Sequence, residues 1–168
     1  MGMTRGSRNV AAPTMARWFA TLRAAPAKWR RRNGAERLLL LEALLLLGVV
    51  RILILTIPFR WLAVSLGRRM TESGLHLTPS ALRQASMIGQ AVRSAAGTTP
   101  WKSVCLPQAV AGKWMLKRRG INATLYLGVA KADNRSENLA AHAWLRCGDQ
   151  IITGAAGHRQ FTVVASFS

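Results

Sequence analysis

The sequence predicts an α+β fold in which helices come first and a small antiparallel sheet follows. Three observations carry that expectation. Residues 35–69, AERLLLLEALLLLGVVRILILTIPFRWLAVSLGRR, are dominated by leucine, alanine and other strong helix formers, interrupted by Pro58. Residues 78–97, TPSALRQASMIGQAVRSAAG, open on a Thr-Pro pair and close on glycine, the start and stop chemistry of a helix. Beyond a last helical stretch at Cys105, the segments ATLYLGVAK, AHAWLRC, QIIT and QFTVVASF are short runs rich in β-branched and aromatic residues, with turn residues between them. With 168 residues, half of them apolar, one main core is the default.

Taken in order, residues 1–33 form a basic arm. The first 35 residues hold Arg5, Arg8, Arg17, Arg23, Lys28 and Arg30 to Arg32, and no acid. Such a start resembles a transit peptide, or a basic arm lying on lipid or RNA. A short helix is expected around MARWFATLRAA. Residues 34–100 form a helical hydrophobic region suited to docking a partner or a membrane. Glu42 and Arg51 break its apolar runs, and Pro58 sits near the end. Because a span needs ~20 mainly apolar residues, a buried helix or one covered by a partner is preferred across residues 38–66, with a helix lying in a membrane interface as the alternative and a spanning one last. Thr78 is the expected N-cap of the next helix, Pro79 its first residue and Gly97 its stop. Residues 101–168 form the last unit, with Ser103 as cap of the helix at Cys105, Pro107 in its first turn and Gly120 just past its end. Gly148-Asp149 reads as a hairpin turn.

The chain carries 24 Lys and Arg against 6 Asp and Glu, a net charge of +18. That balance calls for an acidic partner such as an anionic membrane face or an acidic peptide. Nucleic acid is not expected, because no base-reading motif accompanies the charge. Two cysteines do not make a disulfide framework and no secretory signal is visible, so a reducing, cytoplasmic setting is expected. Neither a phosphate-cradling glycine loop nor a zinc-type Cys/His spacing occurs, and the sequence calls for no metal and no cofactor.

Cys105 is where chemistry enters. Free N–H groups and the positive end of the helix dipole favour a thiolate at a helix N-terminus, with Lys102 adding charge nearby. The backbone N–H groups of Cys105 and Leu106 are candidate oxyanion donors. A buried cysteine acting as a small apolar residue is the plain alternative. Among the three histidines, His142 shares one face of an extended strand with Trp144 and Arg146, while Ala143, Leu145 and Cys147 occupy the other. Cys147 is therefore a poor nucleophile candidate. His158 reads as a surface loop residue and His76 as a linker residue. A thiol at a helix N-terminus facing a histidine on a strand is the general plan of papain-like and transglutaminase-like cysteine enzymes.

The segments CLPQAVAGKWMLKRRG, LYLGVAK and AHAWLRCGDQIITG resemble the leader peptidases of lasso-peptide biosynthesis, a transglutaminase-like cysteine protease family. The likeness covers residues 35–168 and leaves the basic arm outside. It implies a transglutaminase/papain-like catalytic domain over 101–168, with Cys105 as nucleophile and His142 as general base. The implied substrate is a ribosomal precursor peptide, cut between leader and core so that a separate ATP-dependent lasso cyclase can act on the core. The first 75 residues show no strand pattern, so a separate leader-recognition protein is expected, with the leucine-rich helices as its docking candidates.

One position departs from the family pattern. The family's triad aspartate falls at Gly154 here. Asp133 is the candidate third member, with Glu137, Asn138, Thr153 or a backbone carbonyl as alternatives. Asp149 is at the far end of the hairpin, roughly 20 Å from His142 at ~3.3 Å per residue. Trp101 and Trp144 are assigned either to packing or to the substrate cleft. The rival reading is a basic, membrane-associated adaptor without catalysis, in which residues 1–69 bind anionic lipid.

Overall fold

The computed structural model describes residues 33–101, 103–131 and 139–168. The expected helix around residues 15–25 lies outside them, as do Lys102, Asp133, Glu137 and Asn138. Residues 34–168 cluster as one compact unit. Within it, α1 (Gly34–Thr56), α2 (Phe59–Ser65), α3 (Pro79–Ala96) and α4 (Cys105–Lys117) precede β1 (Thr124–Lys131), β2 (Leu139–Cys147), β3 (Gln150–Thr153) and β4 (Thr162–Phe167). The α+β class and the helices-then-sheet order match the reading of the sequence.

Pro58 separates α1 from α2, its backbone extended at the start of the second helix. One face of α1, Leu40, Ala43, Leu47 and Val50, is buried against α3 and α4. Glu42 ties α1 to the end of α4, pairing with Arg119 at 2.6 Å and Arg118 at 3.3 Å. The Thr78 hydroxyl caps α3 by accepting from the Ala81 N–H, with Pro79 in the first turn and Gly97 at the end. Those three assignments agree with the sequence.

The start of α4 corrects one expectation. Ser103 does not cap it. Its hydroxyl pairs with Thr99 Oγ1 at 2.9 Å, and Val104 is the N-cap, with no side-chain hydrogen bond. A cap side chain normally serves the second or third helical N–H. Here the third residue is Pro107, which has none. The C-terminus follows the Schellman pattern: Ile121 N–H donates to Leu116 O and Gly120 N–H to Lys117 O, both at 3.1 Å. Gly120 supplies the required positive φ of 67°.

The sheet has the order β3-β2-β1-β4, and every neighbouring pair is antiparallel. Gly148-Asp149 joins β2 to β3, with Cys147 opposite Gln150. Strand alternation sends Leu125, Ala143, Leu145 and Cys147 inward, where they share a core with Val110, Met115 and Leu116 of α4. Gly112 lets α4 come close, since a Cβ there would lie 2.9 Å from Leu145 Cδ2. Lys113 is also buried on α4, its ammonium donating to Ala123 O at 2.6 Å and Phe167 O at 2.9 Å. These bonds lock the helix to one end of β1 and of β4, and so fix where Cys105 stands relative to the sheet.

Candidate active site

Cys105 is the first residue of α4 and is half-buried. The opening N–H groups of a helix have no partner inside it. In α4 that set shrinks because Pro107 carries no hydrogen, and the helical ladder begins with Gln108 N–H donating to Val104 O at 3.4 Å. Among the described residues the N–H groups of Cys105 and Leu106 make no hydrogen bond at the helix end.

Cys105, Leu106 and His142 border one cavity of about 310 Å³. Leu127 and Val129 of β1, Ala141 and Ala143 of β2, Val164 and Phe59 complete most of its wall. The surroundings of the thiol are thus apolar, and the histidine is the titratable group that shares the cavity with it.

His142 is held from several sides. Its Nε2 lies 2.8 Å from Gly154 O. A carbonyl only accepts, so Nε2 carries the proton and Nδ1 of the neutral ring is left as the acceptor. The ring packs against Phe161 at 5.0 Å and Trp144 at 5.9 Å between centroids. Trp144 in turn stacks on Tyr126 at 5.5 Å. This layer lies over Gly128, where a Cβ would come within 2.8 Å of Phe161 Cβ and of the Trp144 ring. The imidazole therefore occupies the sheet face opposite the one that packs on α4. Cys105 and His142 both border the cavity, but the ring is engaged with Gly154 O, Phe161 and Trp144 and makes no hydrogen bond to the sulfur among the described residues.

Gly154 is the position at which the resemblance implied an aspartate. Its φ is +72°, and a Cβ there would run into Ala143 O and Trp144 Cα. That position offers His142 a main-chain oxygen and no side chain. Asp133 lies outside the described residues. Asp149 is exposed in the hairpin turn. Thr153 is buried on β3, with its hydroxyl unpartnered among the described residues.

The two tryptophans occupy packing positions. The Trp101 ring lies near Gly48 of α1, and Trp144 is 5% exposed in the aromatic layer; Leu127, Val129 and Val164 stand at the cavity wall instead. His158 lies in a short 3-10 turn, Nδ1 2.6 Å from Ala155 O and its ring 5.9 Å from Trp144. Cys147 is buried in the core, its thiol donating to Asn122 O at 3.5 Å. Burial pushes that thiol up to about 11, against a smaller opposing pull from Arg146. Two features were not assigned from the sequence: the stacking of Phe161 on His142, and the clearance for that stack at Gly128. A glycine inside a strand is the signal that marked the second.

Residues 53–166 match the family model described as the transglutaminase-like superfamily, in which cysteine peptidases and acyl transferases are common. No curated protein and no solved structure matches the chain. The matched stretch runs from the end of α1 to β4 and takes in Cys105, His142 and Gly154, and the chain belongs to the transglutaminase-like superfamily.

Proposed function

We propose that the protein is a cysteine peptidase that removes the leader from a ribosomal lasso precursor peptide. The observation that carries the chemistry is one cavity bordered by Cys105 and Leu106, the first two residues of α4, and by His142. The lasso assignment rests on the likeness of residues 35–168 to that family's leader peptidases.

In the proposed reaction, His142 Nδ1 takes the thiol proton and the thiolate attacks the scissile carbonyl. A C–S bond forms, and the carbonyl π electrons move onto oxygen, which the N–H groups of Cys105 and Leu106 stabilise. Collapse of that intermediate expels the core's amine, which takes the proton back from the imidazolium. Water then attacks the thioester as His142 takes one of its protons. The C–S bond breaks, Cys105 leaves as thiolate and takes that proton back from the imidazolium, and the leader departs as an acid that ionises to carboxylate. Before substrate binds, Nε2–H on Gly154 O fixes the tautomer. The ring must turn toward the sulfur when peptide fills the cavity, since catalytic hydrogen bonds commonly tighten only in the substrate complex.

The partners in this reading are the precursor peptide, a separate leader-recognition protein and an ATP-dependent lasso cyclase, in a cytoplasmic setting. The test is incubation of the purified chain, with the leader-recognition protein, and a precursor peptide followed by mass spectrometry. Cys105→Ala and His142→Ala are each expected to abolish cleavage while keeping the wild-type circular dichroism spectrum. Cleavage by folded Cys105→Ala would refute the thiol mechanism. Inactivity of the wild type, with Cys105 inert to alkylation, would favour the non-catalytic, membrane-associated adaptor.

A further inference from the structure

The outer face of α1 has no role in the cavity, and it is apolar. Leu38, Leu41, Leu45, Val49 and Ile52 recur at spacings of three and four, with exposures between 45% and 71%. At 100° per residue they fall on one stripe, opposite Leu40, Ala43, Leu47 and Val50, which are buried in the core. Exposed apolar residues continue on α2 with Trp61 at 63% and Val64 at 76%. Leucine at this exposure along several turns is a surface that meets something other than water.

We propose that this stripe lies flat in the surface of an anionic bilayer. By length and composition α1 is apolar enough to cross a membrane. Its inner face, however, is part of the protein core, and Glu42 of α1 is paired with Arg118 and Arg119, just past the end of α4. Crossing would strip that face from α3 and α4 and carry Glu42 into hydrocarbon. Lying in the interface keeps both intact and buries only the outer stripe.

The choice of lipid over protein rests on charge. The sequence leading into α1 carries eight Arg and Lys and no acid in its first 35 residues. On the helix flank, the Arg118 side chain is 67% exposed. An apolar helix face next to a polybasic segment is the two-part signal that holds proteins on anionic membranes, each part being weak alone. This reading is independent of the peptidase assignment.

The test uses the full chain with vesicles of phosphatidylcholine, with and without one quarter phosphatidylglycerol, in flotation assays. Binding is expected on the anionic vesicles, weakened on the order of tenfold or more by Leu45→Asp with Ile52→Asp, and likewise by replacing Arg30, Arg31 and Arg32 with alanine. Both aspartates are placed at exposed positions, and thermal melting checks that the fold survives. Release by alkaline carbonate is expected for an interfacial helix. Absence of vesicle binding, full binding by the folded double-aspartate variant, or resistance to carbonate would each overturn the proposal. So would a wild-type dimer that Leu45→Asp with Ile52→Asp dissolves, because the stripe would then be covered by a second copy.

Discussion

At Gly154 two demands fall on one residue. Its backbone has a positive φ, and its α-carbon sits so close to Ala143 and Trp144 that no side chain fits. The tight turn that results carries its carbonyl to 2.8 Å from His142 Nε2. Gly154→Ala has to shift the main chain, and with it the imidazole's anchor. We expect a loss of about 1–3 kcal/mol in urea unfolding and a fall in kcat larger than the lost folded fraction explains, with a displaced pH–rate profile; a profile superimposable on wild type would remove Gly154 from the positioning role. The cysteines offer a second test at this scale. Cys147 is buried, with its thiol raised to about 11, whereas Cys105 borders the cavity. Iodoacetamide at pH 7.5 is expected to label Cys105 alone in the native protein, and peptide mapping reads the outcome. The places of Cys105 at a helix start and of His142 on a strand were legible in the sequence, because helix-start and strand patterns are local, whereas Gly154 was marked only by the resemblance. Use of the Gly154 carbonyl, rather than of the other candidates, depends on the turn after β3 folding back beside β2, and no local pattern encodes that.

Among the elements, α4 sets the geometry of the site, and its most unusual residue is Lys113. The ammonium is buried and bonded to two carbonyls. Burial first, and then the charge of Lys117, lowers its pKa from 10.5 to about 8. An unfolded chain keeps this proton to a higher pH than the folded one. Between about pH 8 and 10.5 the unfolded state binds more protons, so this lysine makes stability rise with pH across that window and leaves it flat below. The full effect is about 3 kcal/mol at 1.36 kcal/mol for each tenfold step in acidity. Urea midpoints at pH 7.5 and pH 10 are expected to show the rise in wild type and its loss in Lys113→Met. Equal rises in both would assign it to other groups. The helix itself was readable from its composition and from Gly120. The mistaken Ser103 cap shows the limit of such reading: Ser103 is a good cap residue, but the helix begins one residue later and Pro107 removes the N–H that a cap would serve. Lys113 gave no sign in the sequence of being internal, because it is the approach of the ends of β1 and β4 that encloses it.

At the scale of the whole molecule, two hydrophobic surfaces compete for explanation in residues 34–56, and the fold divides them. The face bearing Leu47 and Val50 closes the core over α3 and α4, while the face bearing Leu45 and Ile52 stays outside. Sequence alone shows leucine all round this helix, so it cannot say which leucines the core takes. It does determine the order of elements, most of their caps and turns, the excess of positive charge, and the thiol and imidazole as the chemical candidates. Each of these follows from short-range periodicity, turn chemistry or a simple count. Tertiary structure decides which sheet face carries His142, which carbonyl fixes its proton, what encloses Lys113 and which side of α1 faces outward. All four depend on contacts between residues far apart in the chain, and those are set only when the helices and the sheet pack together.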